Sequence, residues 1–269
     1  MRVTKTAASA AASAASGLVL LSLFLTALPA RAAEIKVVTS GGFTAAYRSL
    51  VAGFEKASHD KVITEQGASM GNTPDAIPNR LARGEHIDVV IMVGPALDKL
   101  IKEGKVLADS RTELARSRIG MVVKAGAPKP DISTVEAFKQ TLLHAKSIAY
   151  SDSASGVYLA KTLFAKLGVQ DQIKDKCKMI EGATNPVGGA VARGEAEIGF
   201  QQVSELLPVP GIDYVGPLPA EINLVTVFSA GIVARSKEQA AGHALLKYLA
   251  APSSAPAIAK TGMEPVAAP

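Results

Sequence analysis

Residues 88–93 read DVVIMV, a continuous apolar run that opens on an aspartate. Such a run is typical of a strand covered on both faces, as in a parallel sheet. Upstream, residues 34–39 (EIKVVT) and 61–64 (KVIT) are shorter strand patterns. Between these two, Tyr47, Leu50 and Phe54 recur at the spacing of one buried helix face. Alternation of strand and helix predicts an α/β fold.

The same alternation returns in the second half of the chain. Residues 81–87 (LARGEHI) resemble residues 191–198 (VARGEAEI), and each reads as a helix end, a glycine cap and a following strand. The repeat favours two similar lobes, although such junctions also recur by chance in α/β proteins.

The N-terminal segment predicts export. Arg2 and Lys5 precede an uncharged, apolar stretch, and residues 30–32 (ARA) fit a signal-peptidase site. An uncleaved membrane anchor is the alternative. Cleavage after Ala32 leaves 26 basic and 24 acidic residues, a formal charge of +2. With no basic run interleaved with aromatic residues, nucleic acid is not an expected partner.

Four loops of small residues each follow a predicted strand and open a helix: residues 40–42 (SGG), 67–71 (GASMG), 151–156 (SDSASG) and 184–186 (TNP). Ligands of open α/β sheets bind beyond the carboxyl ends of the strands, where these loops lie. Helix N-termini present unpaired N–H groups and can hold an anion without lysine or arginine. Ordinary caps and turns are the alternative for any single loop.

One loop also fits a catalytic motif. Residues 67–71 match G-x-S-x-G, the turn that presents the nucleophile of serine hydrolases, with Asp213 and His243 following in the required order. A secreted serine hydrolase using Ser69 is therefore an alternative from another class. Against it, residues 72–74 separate Ser69 from the next helix, and His243 falls within a helical pattern.

Five stretches carry a family resemblance. Residues 34–42 (EIKVVTSGG), 67–69 (GAS), 83–91 (RGEHIDVVI), 147–168 (SIAYSDSASGVYLAKTLFAKLG) and 191–205 (VARGEAEIGFQQVSE) resemble periplasmic molybdate-binding proteins of ABC importers. The resemblance implies an α/β type II periplasmic binding protein whose lobes are mostly parallel sheets flanked by helices and hinged by two crossing strands. It places the signal peptide at 1–32, lobe I at 33–117 plus 225–269, and lobe II at 118–224.

The resemblance also implies a function. A small oxyanion, molybdate or tungstate first, would bind between the lobes, and another oxyanion or a small organic carboxylate is the alternative. The implied partner is an ABC permease of the inner membrane, and the implied protein is a periplasmic monomer. No catalytic activity and no cofactor are expected. The only metal expected is the one within the bound oxyanion. The ligand-binding residues it implies are Ser40, Gly41, Gly42, Ser69, Ala149, Ser153, Ser155, Thr184, Asn185 and Gln202.

Overall fold

The computed structural model describes residues 1, 32–181 and 186–266, and from Ala32 onward these form one unit with two β-sheets. The predicted signal peptide falls almost wholly outside the described residues. No helix in the described part of the chain is long and apolar enough to cross a membrane.

The first sheet has six strands in the order β11-β4-β10-β3-β1-β2. The strands are β1 (Glu34–Thr39), β2 (Lys61–Gln66), β3 (Val89–Val93), β4 (Thr112–Ser117), β10 (Thr226–Ile232) and β11 (Glu264–Pro265). Its helices are α1 (Gly41–Ser58), α2 (Ile77–Ala82), α3 (Gly94–Lys102), α10 (Gln239–Ala250) and α11 (Ala255–Ala259).

The second sheet has five strands in the order β7-β6-β8-β5-β9. The strands are β5 (Ile119–Lys124), β6 (Ile148–Ser151), β7 (Cys177–Ile180), β8 (Ile198–Gln202) and β9 (Ile212–Pro217). Its helices are α4 (Val135–His144), α5 (Ala154–Tyr158), α6 (Phe164–Lys166), α7 (Gln170–Ile173), α8 (Val187–Ala192) and α9 (Val203–Leu206). A π-helical turn, Leu159–Leu163, joins α5 to α6.

Both sheets are mixed, which corrects the prediction of mostly parallel sheets. β1 pairs in parallel with β2 and β3, whereas β10 runs antiparallel to β3 and β4. In the second sheet β6 is parallel to β7 and β8, and β5 is antiparallel to β8 and β9. The antiparallel strands arise where the chain leaves one sheet and enters the other. The α/β class itself is confirmed.

Strand β3 is buried along its whole length, as its apolar run predicts. Val89, Ile91 and Val93 pack in the core on the side of α1 and α10. Val90 and Met92 point to the opposite face and pack with residues of α2 and α3. Side chains alternate across a strand, so only a strand covered on both faces needs apolar residues at consecutive positions.

The two repeated junctions have the predicted glycine caps. Gly84 after α2 has φ 79° and Gly194 after α8 has φ 78°, both in the left-handed region that favours glycine. The backbone N–H of each glycine donates to a carbonyl at the end of its helix, from Leu81 and Val191 respectively. The repeated sequence therefore encodes the same helix end in each sheet.

Asn223 joins the two places where the chain passes between the sheets, one between β4 and β5 and the other between β9 and β10. Its Oδ1 accepts the N–H of Ile119 at 2.9 Å. Its Nδ2 donates to the carbonyls of Ile119 at 3.0 Å and Leu218 at 3.1 Å. One amide side chain therefore fixes the start of β5 to the second crossing.

Replacing Asn223 with alanine should lower the free energy of unfolding by about 1–3 kcal/mol, because the N–H of Ile119 loses its acceptor. Urea unfolding of the variant measures the loss. Asn72→Ala is the matched control, since Asn72 is exposed on a loop. Equal stability of the two variants would show that the Asn223 bonds do not hold the crossings together.

Candidate functional site

A cleft lies where the strands of both sheets end. Segments following β1, β2 and β3 face segments following β6 and β8, an arrangement in which open α/β folds bind ligands. The cleft has a cavity volume of about 30 Å³, which is more than one water needs. The lining residues are Ser40, Gly41, Gly42, Ala68, Ser69, Val93, Ser151, Asp152, Ser153, Ala154, Ser155, Gln201, Gln202, Glu205 and Phe228.

Ser40 and the first turn of α1 form one wall of this cleft. The N–H of Ser40 donates to the Ile91 carbonyl at 2.8 Å, which fixes the loop on β3. The Ser40 hydroxyl is buried, only 3% of the residue being exposed, and it has no partner among the described residues. Gly41 and Gly42 follow as the first residues of an 18-residue helix, where N–H groups lack intrahelical acceptors. This wall therefore presents donors to a ligand.

Ser69 lies beside this wall in the loop after β2. Its Oγ accepts the N–H of Val93 at 3.0 Å, so the end of β3 fixes the hydroxyl in place. The hydroxyl proton remains available to donate towards the cleft. The structure thus brings Ser69 to Ser40, Gly41 and Gly42, where the resemblance placed all four.

The geometry around Ser69 does not favour the hydrolase alternative. A nucleophile turn leads directly into a helix, whereas α2 begins only at Ile77. His243 is exposed on α10 and does not line the cleft. Asp213 accepts the N–H of Gly126 at the edge of the second sheet. Neither candidate partner of Ser69 reaches it.

The opposite wall comes from the loop between β6 and α5. Ser153 and Ser155 both line the cleft, and the hydroxyl of Ser155 lies 3.3 Å from that of Ser151. Gly156 allows this turn to close, because a Cβ there would lie 1.6 Å from the Ser151 carbonyl oxygen. The loop therefore places several hydroxyl groups opposite Ser40.

Gln202 ends β8 and is 2% exposed. Its Nε2 donates to the Thr226 hydroxyl at 3.0 Å, and its Oε1 has no partner among the described residues. The Thr226 hydroxyl can donate as well as accept. The amide can therefore turn over, keep a bond to Thr226 and present its NH₂ to the cleft. Gln202 is the second buried group whose polar atom is left for a ligand.

One other predicted site residue, Ala149, is not in the cleft lining. Ala149 lies within β6, and its side chain packs among Val122, Val187 and Val191 in the core of the second sheet. Thr184 and Asn185 lie outside the described residues.

The cleft also contains a carboxyl group that the sequence analysis missed. Glu205 on α9 lies against the first turn of α1, because a Cβ on Gly41 would be 2.0 Å from its Oε1. The same oxygen accepts from Nε2 of Gln201 at 2.9 Å. Burial raises the pKa of Glu205 to about 7, against the opposing effect of the Gln201 hydrogen bond. This group can exist in both protonation states near neutral pH.

Gln201 holds this carboxyl in place. Its Oε1 accepts the N–H of Val187, the first residue of α8, at 3.0 Å. Since the backbone N–H can only donate, the Gln201 amide must turn its NH₂ towards Glu205. A helix terminus thus orients Gln201, and Gln201 orients Glu205.

Helix α9 also joins the two sides of the cleft. The Ser204 hydroxyl donates to the carbonyl of Gly42 at 2.6 Å, linking a helix of the second sheet to one of the first. In the sequence, Glu205 lies three residues after Gln202, within the last of the stretches that resemble molybdate-binding proteins. Nothing in that spacing revealed that the carboxyl would lie on Gly41.

Chemically, the cleft combines hydroxyl, amide and backbone donors with two carboxyl groups, those of Asp152 and Glu205. No lysine or arginine appears among its described lining residues. The exposed Arg48 lines an adjoining groove that shares Gly41, Gln201 and Glu205 with the cleft. No group of three or more His, Cys, Asp or Glu in the described chain is arranged to hold a metal. The site can bind an anion by neutral donors and move a proton.

The fold is that of a type II periplasmic binding protein. The solved structure of the periplasmic molybdate-binding protein of Azotobacter vinelandii superposes with a TM-score of 0.68 at 22% identity, over 85% of this chain and 98% of that one. The model of the bacterial extracellular solute-binding protein family matches residues 35–264. The chain belongs to that family, and the resemblance to periplasmic molybdate-binding proteins is confirmed.

Two curated relatives differ in their named functions. The aconitate isomerase of a Pseudomonas species is 49% identical over 255 residues, covering 93% of this chain and 97% of the relative. The molybdate-binding protein ModA of Azotobacter vinelandii is 29% identical over 252 residues, covering 88% of this chain and 92% of that one. The first relative carries an enzyme name, so the prediction that this chain is not an enzyme is wrong.

Proposed function

We propose that this protein binds aconitate in the cleft and interconverts its isomers. The 49% identical relative supports the substrate, and that similarity extends over nearly the full length of both chains. Aconitate is an organic carboxylate, one of the two ligand classes that the sequence left open.

The observation that carries the binding proposal is that two of the four buried polar atoms without partners in the described residues, Ser40 Oγ and Gln202 Oε1, belong to residues that line the cleft. They lie in one cleft and come from different sheets. A buried polar atom without a partner costs about 1–3 kcal/mol. A carboxylate that accepts from Ser40 and from the turned amide of Gln202 removes both costs at once. It also accepts from the N-terminal turn of α1.

Aconitate is larger than the space in the cleft as it stands. Binding therefore requires the two sheets to separate and close again, a motion in which two lobes share a hinge. We assign lobe I to residues 33–117 plus 225–269 and lobe II to 118–224. The hinge is then the pair of crossings joined by Asn223.

A molybdate-sized oxyanion is the second candidate. The small cleft volume favours it, because a tetrahedral anion needs far less space than a tricarboxylate. The 29% identical ModA relative supports the same reading. The two carboxyl groups in the lining do not distinguish the candidates, since an ionised carboxylate repels either bound anion.

The cellular setting follows the family, whose members are extracellular. We propose that residues 1–32 direct export to the periplasm and that the mature protein is a monomer. An ABC permease of the inner membrane is the proposed protein partner, which docks the closed, loaded form.

Thermal unfolding with a panel of ligands tests the binding proposal. The panel contains cis- and trans-aconitate, citrate, molybdate, tungstate and sulfate. A ligand at one hundred times its Kd adds about 2.7 kcal/mol to the unfolding free energy. We expect both aconitate isomers to stabilise the protein. Stabilisation by molybdate and tungstate alone would replace this proposal by the oxyanion one.

A further inference from the structure

We propose that Glu205 is the acid–base residue that carries a proton from one carbon of aconitate to another. This inference rests on the proposed function. It assigns a catalytic role to a side chain that binding alone does not require.

The position of Glu205 supports this role. Its carboxyl lines the cleft and lies directly on Gly41, at the N-terminal turn of α1. A ligand carboxylate held by that turn is therefore adjacent to the Glu205 carboxyl. A general base must come within hydrogen-bonding reach of the proton that it removes.

Gln201 acts as the positioning residue. Because Val187 fixes the orientation of the Gln201 amide, one carboxyl oxygen of Glu205, Oε1, accepts a hydrogen bond from Gln201. The other oxygen, Oε2, is left for the proton. The carboxyl thus has a defined orientation in both protonation states.

The reaction needs only one such group. The ionised carboxylate removes a proton from the CH₂ carbon of aconitate, and the C–H electron pair becomes an allylic carbanion shared with the flanking carboxylate. The protonated Glu205 then returns the proton to the former vinyl carbon, and the double bond moves to the other side of the central carbon. No atom is lost and nothing is oxidised or reduced. The isomer that forms depends on the side of the new double bond on which the cleft holds the terminal carboxylate.

The cleft can also stabilise the carbanion. Negative charge develops on the oxygens of the carboxylate beside the CH₂ carbon. Ser40 and the first two residues of α1, Gly41 and Gly42, line the same cleft and supply hydroxyl and backbone N–H donors there. Preorganised donors aimed at developing charge are a large contribution to catalysis.

The pH dependence should report the same group. Of the charged groups facing Glu205 from the elements around it, Asp152 lies across the cleft and Arg48 lies on α1 in the adjoining groove. The base must be ionised to remove a proton, so kcat/KM should rise with pH through about 7 and then level off.

The test compares the full exported protein with Glu205→Gln and Glu205→Asp. Glu221→Gln is the matched control, because Glu221 is exposed outside the cleft. Two quantities are measured for each: aconitate affinity by calorimetry and isomerisation rate by NMR.

We expect Glu205→Gln to lower the isomerisation rate at least 100-fold, the scale of general acid–base catalysis. Affinity should stay within about tenfold, since the neutral amide keeps the hydrogen bond from Gln201. Glu205→Asp should keep the rise in rate with pH at a rate lowered about 100-fold, because its carboxyl is withdrawn. Glu221→Gln should match the wild type.

Full activity in Glu205→Gln, with wild-type turnover established, would overturn this inference and leave the proposed function intact. Absence of both aconitate binding and turnover in the wild type would overturn the two together. If Glu205→Gln does not fold, Glu205→Asp decides: an undiminished rate overturns the inference, and a slower rate with the same pH limb supports it.

Discussion

Alanine at position 41 should lower the rate of aconitate isomerisation about 100-fold while the protein keeps its fold. The new Cβ would lie 2.0 Å from Glu205 Oε1 and 2.8 Å from Cδ, so the carboxyl must move. A displacement of about 1 Å in a catalytic group can cost about 100-fold in rate. The carboxyl is the end of a flexible side chain, and Gly41 begins a helix in which alanine is well tolerated.

Ser49→Ala is the control for position 41, since Ser49 is exposed on the same helix. Rates are measured by NMR and unfolding free energies by urea denaturation. A Gly41→Ala protein with wild-type activity would show that the close contact of the Glu205 carboxyl with Gly41 has no role in the reaction.

Removal of the Ser40 hydroxyl should separate affinity from stability. Ser40→Ala should weaken aconitate binding about 10- to 100-fold, the range for a lost hydrogen bond of about 1.5–3 kcal/mol to a charged group. The unfolding free energy should not fall, because the hydroxyl has no partner among the described residues.

Ser69→Ala is the matched comparison. Its oxygen accepts the Val93 N–H, so this variant should lose about 1–3 kcal/mol of stability as well as affinity. Calorimetry gives the affinities and urea unfolding the stabilities. Equal stability losses for the two variants would contradict the assignment of Ser40 as a group reserved for ligand.

Much of the scaffold could be predicted because local rules dictate it. The apolar run of β3 required cover on both faces, and it has that cover. Gly84 and Gly194 could be recognised as helix caps from the repeated sequence around them. The antiparallel direction of some strands could not be predicted from the sequence, because it depends on how the chain returns from the other sheet.

Only those site residues that lie in the loops directly after strands could be predicted from the sequence. Loops of serine and glycine after strands indicated Ser40, Ser69 and Ser153, and all three line the cleft. Glu205 could not be predicted as a site residue, because its position depends on contacts between elements that are distant in sequence. Gly41 is far from it in sequence, and Val187 reaches it only through Gln201.

These contacts explain how a binding fold can host an enzyme. The donors that would hold an anion also stabilise the charge that forms when a carbon acid loses its proton. In the proposed mechanism, one carboxyl, placed beside them and able to ionise near neutral pH, supplies the remaining chemistry. The change from binding to catalysis then requires no change in the fold.

The most direct test is an NMR time course of the purified protein with cis-aconitate and, separately, with trans-aconitate. We expect both mixtures to reach the same isomer ratio, at rates that are proportional to protein concentration and are lost in Glu205→Gln. The proposal would be contradicted if neither spectrum changed with time and neither isomer altered the unfolding temperature of the protein.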